Sequence, residues 1–365
     1  MPGHAEDMRI VVIGASGNIG TALLRRLRTD PAADVVGVSR RRPPAREPYD
    51  TVTRWDEIDL SVVEAGPALV IAFRDADVVV NLAWGFQPTR RPAQLEQTGV
   101  EGTRRVIDAA LEAGVPRLVQ TSSVGAYAPR RDLHPVGEDY PTTGVPSSLY
   151  SRHKAAAERL FDLAETEHGD ALRIIRIRPG FVLQRDAGAS LGRYGLPPWL
   201  PRQILGHLPL VPLPQGLVLP VVHSDDVAAA LHAATTADVT GAFNVAADPP
   251  LEAGDVARAL GGHAVSVPRG ALRPAVDLSW RARVQPIDAG WYDLAVQVPM
   301  MSTVKARTEL GWAPTVDPYE AFTAAIAGIA GGAGVDGAVL GPRRPPLHVV
   351  RDTLRNGSIS RRRMS

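Results

Sequence analysis

Hydrophobic positions in the first half of the chain follow two rhythms in turn. Short unbroken apolar runs read as buried strands, and stretches with apolar residues three and four apart read as helices. Residues 9–13 form the first strand, and Ile19, Leu23, Leu24 and Leu27 mark one face of the helix behind it. Residues 34–39 are a second strand, followed by a loop rich in Pro and Arg. Residues 77–83 are another apolar strand, running into Trp84 and a loop that holds Pro88 and Pro92. Residues 100–113 place Val106, Ile107, Ala110 and Leu111 at helical spacing, and Gly114 stops that helix. Segments 117–122 and 172–178 are strands, the second stopped by Pro179-Gly180. Between them, 150–167 is a long helix with Leu160, Phe161 and Ala164 facing inward. This alternation predicts an α/β fold with a parallel sheet covered on both faces.

The rhythm weakens past residue 184. Residues 184–220 are rich in Pro, Gly and Leu, residues 221–226 lead into a helix from Val227, and 241–246 are a further buried strand. From Gly331 onward the Gly, Pro and Arg composition predicts a mobile tail, with Arg361-Arg362-Arg363 as a solvated terminus.

Between the first strand and its helix lies Gly14-Ala15-Ser16-Gly17-Asn18-Ile19-Gly20. Gly14 permits a tight turn, Gly17 lets backbone approach a pyrophosphate, and Gly20 allows close helix–sheet packing. Amides at the helix N-terminus then face the phosphates. The spacing is G-x-x-G-x-x-G, so Ser16, Asn18 and Ile19 join the glycines as candidate dinucleotide contacts and the fold reads as Rossmann-type, doubly wound. Downstream, Tyr150 and Lys154 stand four apart on one helix face, with Thr121-Ser122-Ser123 about thirty residues earlier.

Together these motifs resemble the extended short-chain dehydrogenase/reductases, the NAD-dependent epimerase/dehydratase family. The resemblance implies Tyr150 as proton donor or acceptor and Lys154 as its electrostatic partner, which also holds the nicotinamide ribose. It implies Ser123 as the hydroxyl that polarises the substrate oxygen. Ser123-Val124-Gly125-Ala126-Tyr127 resembles the family phrase that sets this register, and Ser122 is the alternative if the register slips by one. Asp59, with Leu60, matches the place that hydrogen-bonds the adenine amino group. Asn81-Leu82-Ala83 resembles a strand end whose backbone borders the cofactor, and Pro179-Gly180 matches a turn beside the carboxamide. Two departures stand out: Trp84 replaces a small residue, and Gly99 stands where the family usually has Asn. His223-Ser224-Asp225-Asp226 resembles a phrase whose acids cap the next helix. The family pattern also implies that segments after the sixth strand leave the sheet and build an interleaved substrate lobe. The expected division is 1–183 with a return segment 221–250 for the dinucleotide domain, 184–220 with 251–330 for the lobe, and 331–365 for the tail.

The second strand ends at Ser39, followed by Arg40, Arg41 and Arg42. A carboxylate at this place favours NAD, whereas arginine accommodates the 2′-phosphate of NADP. NADP is therefore the expected cofactor, with NAD as the alternative.

Composition narrows the partners. A formal net charge of +1 recommends neither nucleic acid nor an anionic membrane. The absence of cysteine excludes disulfides, thiol catalysis and zinc–thiolate sites. His153, His207 and His223 form no ligand set with carboxylates at metal-site spacing, so no metal is expected. Glu6 and Asp7 lead straight into the first strand without a signal peptide, and four prolines between 209 and 220 forbid a spanning helix. The expectation is a cytoplasmic protein acting on a small molecule, with a homodimer left open.

The substrate is read largely from absences. Val124 and Gly125 stand where family dehydratases place acids, and Arg178-Pro179-Gly180-Phe181 lacks the Asn that contacts sugar-nucleotide phosphates. Segment 191–220 is apolar, with Arg193 and Arg202 as its cations; Arg281 and Arg283 are more distant ones. Trp280, Arg281, Arg283, Trp291 and Tyr292 are candidate pocket residues. Hydride transfer at a secondary alcohol or carbonyl of a small, fairly apolar substrate is the leading reading. A nucleotide-sugar epimerase and a non-catalytic dinucleotide sensor are the alternatives.

Overall fold

The computed structural model describes residues 8–85, 92–197, 199–337 and 339–341. Its central sheet has seven parallel strands: β1 (Met8–Ile13), β2 (Ala33–Ser39), β3 (Arg54–Glu57), β4 (Val78–Asn81), β5 (Arg117–Thr121), β6 (Arg173–Pro179) and β7 (Gly241–Val245). Their lateral order is β7-β6-β5-β4-β1-β2-β3. Successive side chains point to opposite faces, which is why β1, β2 and β4, covered on both, are apolar over most of their length, whereas the edge strand β3 (Arg54-Trp55-Asp56-Glu57) is not. Ile10, Val12, Val78 and Val80 pack under α1 (Asn18–Leu27) on one face. Val11, Ile13 and Val79 pack on the other, under α2 (Ala65–Ala72), α3 (Gly102–Glu112) and α4 (Leu149–His168). Helix α5 (Ser224–Thr236) lies beside α1. The strand order reverses at β1 and β4, the switch point where such sheets bind ligands at their carboxyl ends.

The weakly periodic region does contain elements. After β6 the chain makes Phe181–Leu183, which pairs in parallel with Val221–His223, and a helix over Gly188–Gly195. Leu210–Pro214 pairs in parallel with His263–Val267, and the lobe continues through α6 (Arg269–Arg281), α7 (Ala289–Gln297) and α8 (Pro318–Gly331).

Several expectations change. The strand expected over 77–83 ends at Asn81, and Pro92 opens a short helix rather than sitting in a loop, because proline is tolerated at a first helical position. Pro88 lies outside the described residues. Asp226 does not cap α5; His223 does, its Nδ1 accepting from the Asp225 amide at 3.2 Å. The buried Asp226 carboxylate instead accepts from Thr315 N and Oγ1 and from Val316 N, fastening the far end of the lobe to the sheet domain. Of the segment expected as a mobile tail, the part up to Gly341 packs back: Leu340 is buried, and Arg193 donates to the carbonyls of Val339 and Gly341. Residues 342–365 lie outside the described residues. Among the described residues, no helix is long and apolar enough to cross a membrane.

Candidate active site

Strand β1 ends in a turn at Gly14, where φ is +80°, a conformation that favours glycine. A Cβ there would lie 2.9 Å from the Ala83 nitrogen and 3.0 Å from the Leu82 carbonyl carbon, so the loops after β1 and β4 are in direct contact. At Gly20 a Cβ would lie 2.5 Å from the carbonyl oxygens of Gly14 and Ala15. Gly20 thus lets the first turn of α1 lie against the backbone where β1 ends. Gly17 is the N-cap of α1 and supplies no side-chain acceptor. The first-turn amides at Asn18, Ile19 and Gly20 precede any intrahelical partner, and Ser16 is buried beside them. A turn bounded by Gly14 and Gly17 and leading to a helix N-terminus without a side-chain cap fits a pyrophosphate.

Other expected cofactor residues carry internal duties. The Asn18 amide donates to Val182 O at 3.2 Å and accepts from Gln184 Nε2 at 2.7 Å, tying the glycine loop to the chain after β6. Asp59 Oδ1 accepts from Ser61 N and Oγ at 3.0 and 2.7 Å. Leu60 is buried against Gly102, and its carbonyl accepts from Arg105 at 2.8 Å. Ser39 Oγ donates to the Arg41 carbonyl at 2.8 Å, curling a loop on which Arg40 and Arg41 are exposed. Pro179 closes β6 in register with Val245.

The serine, tyrosine and lysine come together. Ser123 is the N-cap of a single 3₁₀ turn, and its Oγ accepts from Gly125 N at 3.0 Å. The Tyr150 phenol lies close enough to Ser123 for the serine hydroxyl to favour its ionised form. Ser122 is turned away and donates to Glu158 at 2.5 Å, so the register does not slip. Gly125 makes the approach possible, because a Cβ there would lie 2.9 Å from the Tyr150 ring. Ser151 locks the arrangement, its hydroxyl donating to the Gly125 carbonyl and accepting from Val145 N. Burial pushes the Tyr150 phenol up to about 12, opposed by the neighbouring Ser123 hydroxyl.

Lys154 donates to the Thr121 carbonyl at 3.1 Å and lies 3.6 Å over the Trp84 ring. Burial lowers it to about 7, opposed by the Glu158 carboxylate. Two aromatic rings flank Tyr150: Trp291 at 5.0 Å between centroids, and Trp84 edge-on at 6.2 Å. The two departures noted above form one adjustment. A Cβ at residue 99 would lie 3.1 Å from the Trp84 ring, so glycine there makes room for the indole.

Behind this site runs a buried ionic network. Glu158 receives two hydrogen bonds from Arg178, at 2.9 and 2.7 Å, and one from Arg176 at 2.9 Å. Arg178 also donates to Tyr127 Oη, which donates to Asn244 Oδ1 at 2.7 Å. Asn244 Nδ2 reaches the carbonyls of Val136 and Ser302 in the surrounding loops. Glu158, Gly125, Ser151 and Arg178 were missed as site residues by sequence reading. Glu158 had a signal: it continues the Tyr150–Lys154 face by one further step of four. Of the pocket candidates, Trp291 reaches the site. Arg281 pairs with Asp277, and Tyr292 belongs to a separate apolar cluster. Among the described residues, no cluster of acids and histidines is placed to hold a metal.

Comparison with known proteins follows this geometry. The sequence model of the NAD dependent epimerase/dehydratase family matches residues 10–246. A 3-diazoavenalumate denitrifying reductase from Streptomyces sp is 31% identical, the match covering 84% of this chain and 96% of that protein. An L-arabinose 1-dehydrogenase (NAD(P)(+)) from Haloferax volcanii is 29% identical over 53% of this chain and 77% of its own length. A solved UDP-glucose 4-epimerase from Thermus thermophilus, in complex with NAD, superposes with a TM-score of 0.64 at 20% identity. That superposition covers 89% of this chain and all of the epimerase chain, and it establishes the shared fold.

Proposed function

The chain belongs to the NAD-dependent epimerase/dehydratase family and is an enzyme of it; from that premise we propose an NADP-linked reductase of small, fairly apolar carbonyl compounds, working through Ser123, Tyr150 and Lys154. One observation carries this reading: the Tyr150 ring, seated against Gly125 beside Ser123, is walled by Trp84 and Trp291, and burial keeps its phenol protonated. Aromatic walls favour a planar apolar substrate over a polyhydroxylated one. When bound, the dinucleotide supplies the hydride.

The protein's own residues manage the proton and the geometry. A phenol held at about 12 is protonated at neutral pH, the form that donates to a carbonyl oxygen. Ser123 donates to the same oxygen and fixes its distance from Tyr150. Lys154 is assigned the ribose hydroxyls and the phenol's electrostatics, for which its ammonium leaves the Trp84 face. The relative from Streptomyces is itself named a reductase. Nucleotide-sugar epimerisation draws less support, since Arg178 is committed to Glu158 and Arg193 to backbone carbonyls. Arg40 and Arg41, exposed after a strand that ends in serine, support the preference for NADP.

The test is Tyr150→Phe, which removes only the phenolic oxygen. Turnover is expected to fall at least ~10²-fold with NADPH affinity unchanged, followed by nicotinamide absorbance and tryptophan quenching. Near-full activity in this variant would overturn the assignment.

A further inference from the structure

Helix α7 separates two regions. Trp291 packs on Tyr150 and Leu294 lies against Gly125, whereas Tyr292, Asp293, Val296 and Gln297 line a cavity of about 720 Å³. Across that cavity stand Arg130 and Arg131, from the loop after Tyr127, and Arg269 and Arg273, from α6. The two acids nearby are already engaged. Asp293 holds Arg273 at 2.9 Å, and Asp132 accepts from the amide of His134.

Arg130 and Arg269 are arranged differently. Both donate to one acceptor, the Gly216 carbonyl, at 2.9 and 3.3 Å, and among the described residues neither is paired with a carboxylate. Nη1 of Arg130 is shielded from water and, among the described residues, has no acceptor. Burial, with the charge of Arg269 beside it, lowers the proton affinity of Arg130. Two like charges drawn to one carbonyl, with a buried donor unsatisfied, cost free energy unless an anion completes the arrangement. The rest of the lining includes Pro129, Leu133 and Val296, which suit an apolar body.

We propose that this cavity binds a small organic oxyanion, a carboxylate or phosphate on an apolar body, between Arg130 and Arg269 and apart from the Ser123–Tyr150 centre. Guanidinium forks match the planar or tetrahedral oxygens of such groups. Nothing in this proposal depends on the reductase reading.

Calorimetric titration of the full chain with benzoate, phenyl phosphate and the neutral benzamide tests it. At least one anion is expected to bind saturably while benzamide does not, and the tighter anion identifies carboxylate or phosphate as the head group. Arg130→Gln and Arg269→Gln should each weaken binding at least tenfold, whereas Tyr150→Phe should bind as the parent does. Affinity in the parent should also fall as salt rises, a readout that needs no variant. No saturable binding below about 10 mM, equal binding of benzamide, unchanged affinity in both Gln variants, or loss of binding in Tyr150→Phe would overturn the proposal.

Discussion

Lys154 carries an electrostatic cost in the dinucleotide-free protein that can be read from its pH dependence. In the unfolded chain a lysine titrates near 10.5, and burial brings the folded value to about 7. Between those limits the unfolded chain holds the additional proton, so stability rises with pH across that window. Below about 7 both states are protonated, and the penalty of the buried ammonium is present in full. Lys154→Met removes the titration altogether. The melting temperature of the variant relative to the parent should therefore be highest at or below neutral pH and decline as pH approaches 10.5. Thermal melts across that range check it, and a difference independent of pH would show that the ammonium is not desolvated. Turnover should be lost at every pH, because no other residue stands in the lysine's place.

At the scale of elements, α4 does more than present the catalytic pair. Tyr150, Lys154 and Glu158 lie at successive steps of four, so one helix face carries the proposed proton donor, the cation and the anchor of the ionic network. Burial by itself would raise the Glu158 carboxyl, but hydrogen bonds and charges from Arg178 and Arg176 hold it below the ordinary range. Its contribution to stability is thus present above the unfolded carboxylate's pKa and lost as pH falls through the folded value. Glu158→Gln would leave the buried Arg178 guanidinium without its counter-charge, while Arg176 keeps Asp162 and Glu165. Such a change costs about 3–5 kcal/mol, to be measured by urea denaturation. A loss under about 1 kcal/mol would mean that water or Asp162 takes over the pairing. The same helix shows what a sequence can disclose. Tyr150 and Lys154 were legible because their spacing is local. The role of Glu158 was not, because Arg178 reaches it from another element and pairing across elements leaves no periodic trace. Asp226 misled for the same reason: its partners Thr315 and Val316 are almost ninety residues away.

The whole molecule divides along similar lines. Six strands of the sheet were legible because strands buried on both faces read as largely apolar runs, whereas the edge strand β3, Arg54-Trp55-Asp56-Glu57, has no such run; the glycine loop was legible because its conformation demands those residues. The lobe was poorly legible, since short strands and single turns such as Leu210–Pro214 are too brief to establish a period. One consequence concerns the traffic of cofactor through the assembled site. An epimerase takes a hydride from one face of its substrate and returns it to the other, so its dinucleotide is restored within each turnover and has no need to leave. A reductase releases oxidised dinucleotide every cycle. In this chain the arginines expected to meet the 2′-phosphate stand exposed on the loop after β2. Asp59, expected at the adenine, spends one carboxylate oxygen on Ser61. Both features suit a dinucleotide gripped by charge at an open edge rather than enclosed. Purified protein is therefore expected to be largely free of dinucleotide, to bind NADPH at least tenfold more tightly than NADH, about 1.4 kcal/mol, and to consume NADPH in step with product. Tightly held NAD surviving purification, with no net change in nicotinamide absorbance during turnover, would reverse the assignment in favour of the epimerase.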